Sequence, residues 1–85
     1  YIIDSIGWAY YLIDDFIKAE EFLKRAVTLM PDDPIVNDHY GDILWKLDRK
    51  IQARYFWYMV LEMENVEKDL INQINNKLII GPEKS

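Results

Sequence analysis

The stretch GWAYYLIDDFIKAEEFLKRAVTLMPDDP, residues 7–34, decides the fold. Its apolar residues recur every three or four positions, which is the spacing that places them on one face of an α-helix. Asp14 and Asp15 interrupt this pattern where a carboxylate can cap the start of a second helix. Pro31 stops that second helix because proline cannot donate the backbone hydrogen bond that a helix interior needs. The stretch therefore predicts two helices joined by a short turn.

The rest of the chain continues the helical spacing and shows no β-type alternation. Asp33 offers the N-cap of a third helix, and Pro34 suits its first turn. A last periodic segment ends at Gly81 and Pro82. Because the predicted turns are very short, neighbouring helices must run antiparallel. The sequence predicts an all-α domain of five helices, near residues 2–13, 16–29, 34–47, 50–63 and 66–79.

Small residues repeat at a fixed distance along the chain. Gly41 follows Gly7 at the same distance in sequence as Ala53 follows Ala19, and we call this distance the repeat offset. A glycine lets a facing helix approach where a Cβ would clash, although it costs roughly 1 kcal/mol of helix propensity. We therefore expect close helix crossings at both glycines. A helix–turn–helix unit with this period, about 34 residues, is typical of a stacked repeat protein.

At these positions the chain resembles the tetratricopeptide repeat family. The first copy carries the glycine, tyrosine, alanine, large apolar and proline residues of that repeat at Gly7, Tyr10, Ala19, Leu23, Ala26 and Pro31. The second copy matches at Gly41, Ala53 and Trp57, but Val60 replaces alanine and Asn65 stands where proline is expected. The segments DSIGWAYY and DHYGDILWKLDRKIQARYFW are similar to C-terminal repeats of bacterial members, including envelope-associated ones. The location of the protein, cytoplasm or cell envelope, therefore stays open.

The resemblance implies a helical-hairpin solenoid with three parts. These are a first repeat over residues 1–33, a second over 34–66, and a capping helix with a C-terminal tail over 67–85. Since three or more repeats are usually needed for stability, we expect further repeats upstream.

Composition and charge exclude several function classes. The net charge of −5 argues against nucleic acid as a partner, because phosphate binding needs a basic surface. No apolar run approaches the roughly 20 residues that cross a bilayer, so we expect no direct membrane insertion. There is no cysteine for a thiolate metal site, and His39, the only histidine, has no second histidine for a metal and no serine suitably placed beside it as a nucleophile. We expect no cofactor and no enzymatic activity, with His39 bonding locally or facing a groove.

The resemblance implies that the first helix of each repeat lines a concave groove that receives a partner peptide or protein segment. The residues that would face this groove are Asp4, Trp8, Tyr11, Asp38, Asp42 and Trp45. Tryptophan and tyrosine are favoured at binding hot spots. Lys46 alone cannot offset the three carboxylates, so an acidic tail would be repelled. We expect a preference for neutral-to-basic, apolar-rich segments.

Four consecutive aromatic residues, Tyr55 to Tyr58, sweep most of the circumference of the fourth helix. Phe56 and Trp57 match apolar positions of the first repeat, so we expect both in the core. Tyr55 and Tyr58 match charged positions. One interpretation packs Tyr55 under the closing helix and leaves Tyr58 half exposed; the other makes both tyrosines a contact patch on the convex side.

Two function classes stay open. The first is a protein–protein interaction scaffold that binds a segment in the groove. The alternative is a structural C-terminal cap of a longer array that mediates self-association. The apolar flank of the first helix favours pairing, because Tyr1, Ile2, Ile3 and Ile6 would lie exposed without an upstream repeat. We expect this chain to form a homodimer through that flank.

Overall fold

A computed structural model describes residues 2–82, and within them the chain forms five α-helices and no strand. The helices are α1 (Ile2–Leu12), α2 (Phe16–Leu29), α3 (Pro34–Lys46), α4 (Lys50–Leu61) and α5 (Lys68–Ile80). The predicted all-α class and the number of helices are confirmed. Tyr1 and the tail over 83–85 lie outside the described residues.

The helix boundaries follow the signals in the sequence closely, except between α4 and α5, where the predicted end of α4 at residue 63 is two residues late. Asp15 caps α2 by accepting a hydrogen bond from the backbone N–H of Lys18 at 3.3 Å. Asp33 caps α3 in the same way at 3.0 Å, with Pro34 in the first turn. The predicted start of α5 is two residues early, because Asn65 takes a left-handed backbone with φ of 60°. An extended residue, Glu67, then precedes the helix.

The two helical hairpins, α1–α2 and α3–α4, have the same turn, displaced by the repeat offset. Asp14 and Asp48 both adopt the left-handed conformation, with φ of 64° and 62°. In each hairpin the next residue donates its backbone N–H to the carbonyl five positions back at 2.9 Å, Asp15 to Tyr10 and Arg49 to Leu44. This is the hydrogen bond of a Schellman-type helix end. The repeat seen in the sequence is therefore also a repeat of the backbone.

Both glycines lie at close helix crossings, as expected. A Cβ added at Gly7 would come within 2.7 Å of Cγ of Leu23 on α2. At Gly41 it would come within 2.7 Å of Cδ1 of Trp57 on α4. Each hairpin thus closes by seating a large α2 or α4 side chain on a glycine of the preceding helix.

The core lies between the hairpins and under α5. Leu23, Trp57, Ala19 and Ala53 have no exposed surface, and Ile74 brings α5 into the same cluster. The core prediction for Trp57 is confirmed, and Phe56 packs against the cluster while partly buried. These contacts explain how the aromatic segment of α4 is covered on its inner side only.

The expectation that Tyr55 packs under the closing helix is wrong. Tyr55 is 59% exposed and Tyr58 is 55% exposed, the second as expected. Helix α5 packs Ile74 into the core cluster that holds Trp57. Tyr55 precedes Trp57 by two residues, which places it more than half a helical turn from Trp57 around α4. Helix α5 therefore does not cover Tyr55. Both tyrosines therefore lie on the outer surface of α4.

Candidate functional site

The six residues predicted for the groove lie on α1 and α3, the first helices of the two hairpins, and we call the surface they form the α1–α3 face. It consists of Asp4, Trp8 and Tyr11 on α1 and Asp38, Asp42 and Trp45 on α3. Contrary to the expectation of an open groove, all three carboxylates and Tyr11 are buried, and the two tryptophans are half-buried. The physical reason is that α5 covers part of this face and that the side chains bond to one another.

The cover is held by Lys77 of α5, which lies between two carboxylates of α3. Its Nζ donates a hydrogen bond to Oδ1 of Asp38 at 2.8 Å and another to Oδ2 of Asp42 at 3.1 Å. Nζ also lies 3.0 Å from Oδ1 of Asp42, but that oxygen accepts no hydrogen bond from the described part of the chain. One lysine therefore serves two buried carboxylates, which leaves a negative charge in excess at this point.

The pKa values of this cluster are shifted by burial and by the charges that its members share. Burial, followed by repulsion from Asp38, raises the pKa of Asp42 to about 7, although Lys77 opposes the shift. Burial would lower the pKa of Lys77, but attraction to Asp42 and Asp38 outweighs it and raises that pKa. Burial and the same two carboxylates also raise the pKa of Tyr11. The cluster therefore favours a bound cation and disfavours a further anion.

Beside the carboxylates, Trp8 is the middle ring of a three-ring stack. Its ring lies nearly parallel to His39, with centroids 4.0 Å apart, and to Tyr11, with centroids 4.5 Å apart. Two rings at these distances cannot fit side by side on one indole face, so one covers each face. His39 in turn lies with Nδ1 3.0 Å from Oδ1 of Asp4, which joins α3 to α1. The imidazole thus bonds across helices rather than locally.

Trp45 is also held by neighbours. Its ring contacts the Trp57 ring, with centroids 5.6 Å apart, and cations of Lys50 and Arg54 lie over it at 4.9 and 5.3 Å. Gly81 packs so closely that an added Cβ would meet Cζ2 of Trp45 at 2.7 Å. The aromatic residues predicted as free hot spots therefore serve first to hold α5 and the hairpins together.

An opening remains between α1 and the C-terminal end of α5. This cavity has a volume of about 390 Å³. Its walls come from Trp8, Tyr11 and Leu12 on one side and from Ile80 and Pro82 on the other. Asp42 lines it from α3, next to Lys77. The cavity lies where the α1–α3 face meets the end of α5.

Sequence reasoning missed the role of Lys77. It treated the last helix only as a cap and did not assign its lysine to the carboxylates of α3. A signal was present, because Lys77 lies three residues after Ile74 and next to Leu78, on the apolar stripe of α5 rather than on its polar side. A lysine at such a position indicates a buried partner carboxylate.

Tyr55 and Tyr58, the predicted convex contact, lie on α4 and take no part in this cluster. Within residues 2–82 no group of histidine, aspartate or glutamate side chains has the arrangement of a metal site. In the same part of the chain no helix combines the length and apolarity that crossing a membrane requires. Comparisons with family models, curated proteins and solved structures find no match to this sequence.

Proposed function

We propose that the chain is a segment of a tetratricopeptide solenoid, with repeats over 1–33 and 34–66 and a capping helix within 67–85. The support is the repeat offset, which relates both the small residues of the sequence and the left-handed turn residues Asp14 and Asp48. In this family the first helices of successive repeats line a concave groove. By that correspondence α1 and α3 are the groove helices here.

The proposed function is that of a protein–protein interaction scaffold, which binds a partner segment on the α1–α3 face. The observation that carries it is the position of Lys77, whose cation lies between Asp38 and Asp42. Together with Ile74 it is an intramolecular example of what this face accepts, a basic residue next to apolar ones. The proposed partner is therefore a neutral-to-basic, apolar-rich segment, and an acidic one is disfavoured.

A titration with matched peptides tests this function. Three short peptides would share their apolar residues and differ only at one position, which is lysine, glutamine or glutamate. Binding to the isotope-labelled chain would be followed by NMR at low and high salt. We expect the lysine peptide to bind most tightly, to weaken as salt rises, and to shift the indole N–H signals of Trp8 and Trp45. Equal binding of the glutamate peptide would overturn the proposal.

The alternative function, a structural cap that mediates self-association, is supported by a different surface. Ile2 on α1 is 78% exposed, whereas Val36, its counterpart by the repeat offset, is 2% exposed. Ile6 and Tyr40 differ in the same direction. The cause is that α2 packs on α3, while none of the described helices packs on the matching side of α1. A homodimer would cover this flank, and a dimer with no peptide binding would favour this alternative.

A further inference from the structure

We propose that the cavity between α1 and α5 is an anchor pocket for one arginine or lysine side chain of the bound segment, with the cationic head group bonded to Asp42. This assignment rests on the proposed peptide-binding function and names the chemistry of one of its subsites. The cavity, at about 390 Å³, lies within the range of roughly 300–1,000 Å³ that ligand pockets occupy.

The polar end of the pocket calls for a hydrogen-bond donor. Asp42 is 3% exposed, and its Oδ1, although 3.0 Å from Nζ of Lys77, accepts no hydrogen bond from any described residue. Native proteins leave few buried polar atoms in this condition, because an unsatisfied group loses its hydration without compensation. Asp42 also lines the cavity, so a donor that enters the pocket comes next to this residue.

A positively charged donor fits better than a neutral one. Nζ of Lys77 lies 2.8 Å from Asp38 and 3.0 Å from Asp42, so two carboxylates share one positive charge. One negative charge of the pair is left without a counter-charge, which agrees with the pKa of Asp42 being raised to about 7 by burial and by Asp38. A second cation in the pocket would complete the pairing of two carboxylates with two basic groups.

The walls of the pocket fit the aliphatic stem of an arginine or lysine side chain. Leu12, Ile80 and Pro82 offer apolar surface to a methylene stem. Trp8 lines the pocket too, but His39 and Tyr11 occupy both faces of its ring. The pocket therefore cannot hold an aromatic group by stacking on Trp8, and it suits an extended aliphatic chain with a donor at its end.

The test uses a peptide in which arginine is exchanged for citrulline, which has nearly the same shape but no charge. Both peptides, acetylated and amidated, would carry the sequence Leu-Ala-X-Ala-Leu, and the isotope-labelled chain would be titrated with each. We expect the arginine peptide to bind at least tenfold more tightly. It should shift the indole signal of Trp8 and the side-chain amide signals of Gln73 and Asn76, which line the pocket.

Two variants and one control locate the site. Asp42→Asn removes the charge, and Leu12→Trp fills the pocket from an exposed position, so the second variant keeps the core intact. Each should reduce the preference for arginine over citrulline to less than threefold. Asp32→Asn, an exposed carboxylate in the turn before α3, should leave that preference unchanged. A preference that survives Leu12→Trp would overturn the assignment.

The outcomes separate this inference from the function on which it rests. If both peptides bind the α1–α3 face equally, peptide binding stands and the anchor pocket is refuted. If neither peptide binds, the peptide-binding function fails, and N-acetylargininamide then decides about the pocket alone. Shifts of the Trp8, Gln73 and Asn76 signals with that compound, absent with its citrulline analogue, would retain the pocket as a small-cation site; no such difference would refute it.

Discussion

Lys77 on α5 donates a hydrogen bond of 2.8 Å to Asp38 on α3, across 39 residues of sequence. Both side chains are largely buried, and Asp42 lies on the other side of the same ammonium group. This one cation therefore connects the last helix to the second hairpin and neutralises part of the charge on the α1–α3 face. Its removal leaves two carboxylates without their counter-ion in a partly dry environment.

We predict that Lys77→Met destabilises the protein by roughly 3 kcal/mol, because breaking a buried ion pair leaves an uncompensated charge. The matched control is Lys68→Met, at the exposed start of the same helix, which should change stability by less than about 0.5 kcal/mol. Urea unfolding of both variants measures the difference. Equal effects would mean that the ion pair does not hold α5.

A triple variant separates two effects of Lys77→Met, the loss of the packed lysine stem and the buried carboxylate charge that is left without a counter-ion. Lys77→Met combined with Asp38→Asn and Asp42→Asn removes all three charges at once. It should regain a large part of the stability that Lys77→Met loses, because it leaves no uncompensated charge buried. No recovery in the same urea experiment would show that packing of the lysine stem, rather than charge, is what matters.

The raised pKa of Asp42 makes stability depend on pH. Because its folded value of about 7 exceeds the ordinary 3.8, the folded state holds this proton more tightly between pH 4 and 7. Stability from this group therefore falls as pH rises through that window. The charged or titratable groups that act on Asp42 are Asp38, His39 and Lys77, with Tyr11 facing it from α1.

We predict that Asp42→Asn abolishes this contribution. The difference in melting temperature, variant minus native chain, should increase from pH 4.5 to pH 8. Other groups titrate in both proteins, so their effects largely cancel in the difference. A melting-temperature difference that stays constant over this range would contradict the assignment of the raised pKa to Asp42.

The glycine crossings predict unequal costs for the same substitution. At Gly41 a new Cβ meets the indole of Trp57, which is fully buried and cannot turn away. At Gly7 it meets Cγ and Cδ2 of Leu23, which is equally buried but smaller than an indole and not a rigid ring. Gly41→Ala should cost about 1–3 kcal/mol and Gly41→Leu more, since overpacking forces strain into a filled core. Gly7→Ala should cost less.

Urea unfolding measures these costs, with Ser5→Ala on the exposed side of α1 as the control. If Gly41→Ala and Gly41→Leu both leave stability unchanged, the close crossing of α3 and α4 is wrong. If Gly7→Ala costs more than Gly41→Ala, the ranking by side-chain mobility is wrong while the crossings themselves stand.

Local signals in the sequence were sufficient for the helices, but not for the site. Asp33 and Pro34 fix the start of α3 through the backbone of their own neighbours, so a single sequence reveals it. The burial of Asp42 depends on how α5 turns back over the hairpins, through Asn65 and Glu67, and periodicity carries no information about that direction. Tyr55 was misplaced for the same reason.

The apolar flank of α1 is the surface through which we expect the chain to self-associate. Ile2, Ile3, Leu29 and Met30 line a shallow apolar cavity of about 370 Å³ on the side of the first hairpin where none of the described helices covers α1. Exposure of this apolar surface to water is unfavourable, so burial of the surface against a second copy would stabilise a dimer. We predict a two-fold dimer that dissociates on dilution.

Leu29→Lys tests the dimer at a residue that is 68% exposed, so the fold of one copy does not depend on it. Losing one buried leucine on each side should weaken association tenfold or more, because each tenfold step needs only about 1.4 kcal/mol. Ile51→Lys, at a residue of α4 that is 84% exposed, is the matched control and should leave association unchanged. Sedimentation equilibrium over a range of concentrations measures both. A well-folded native chain that stays monomeric throughout, or a dimer that Leu29→Lys does not weaken, would remove the flank of α1 as the self-association surface.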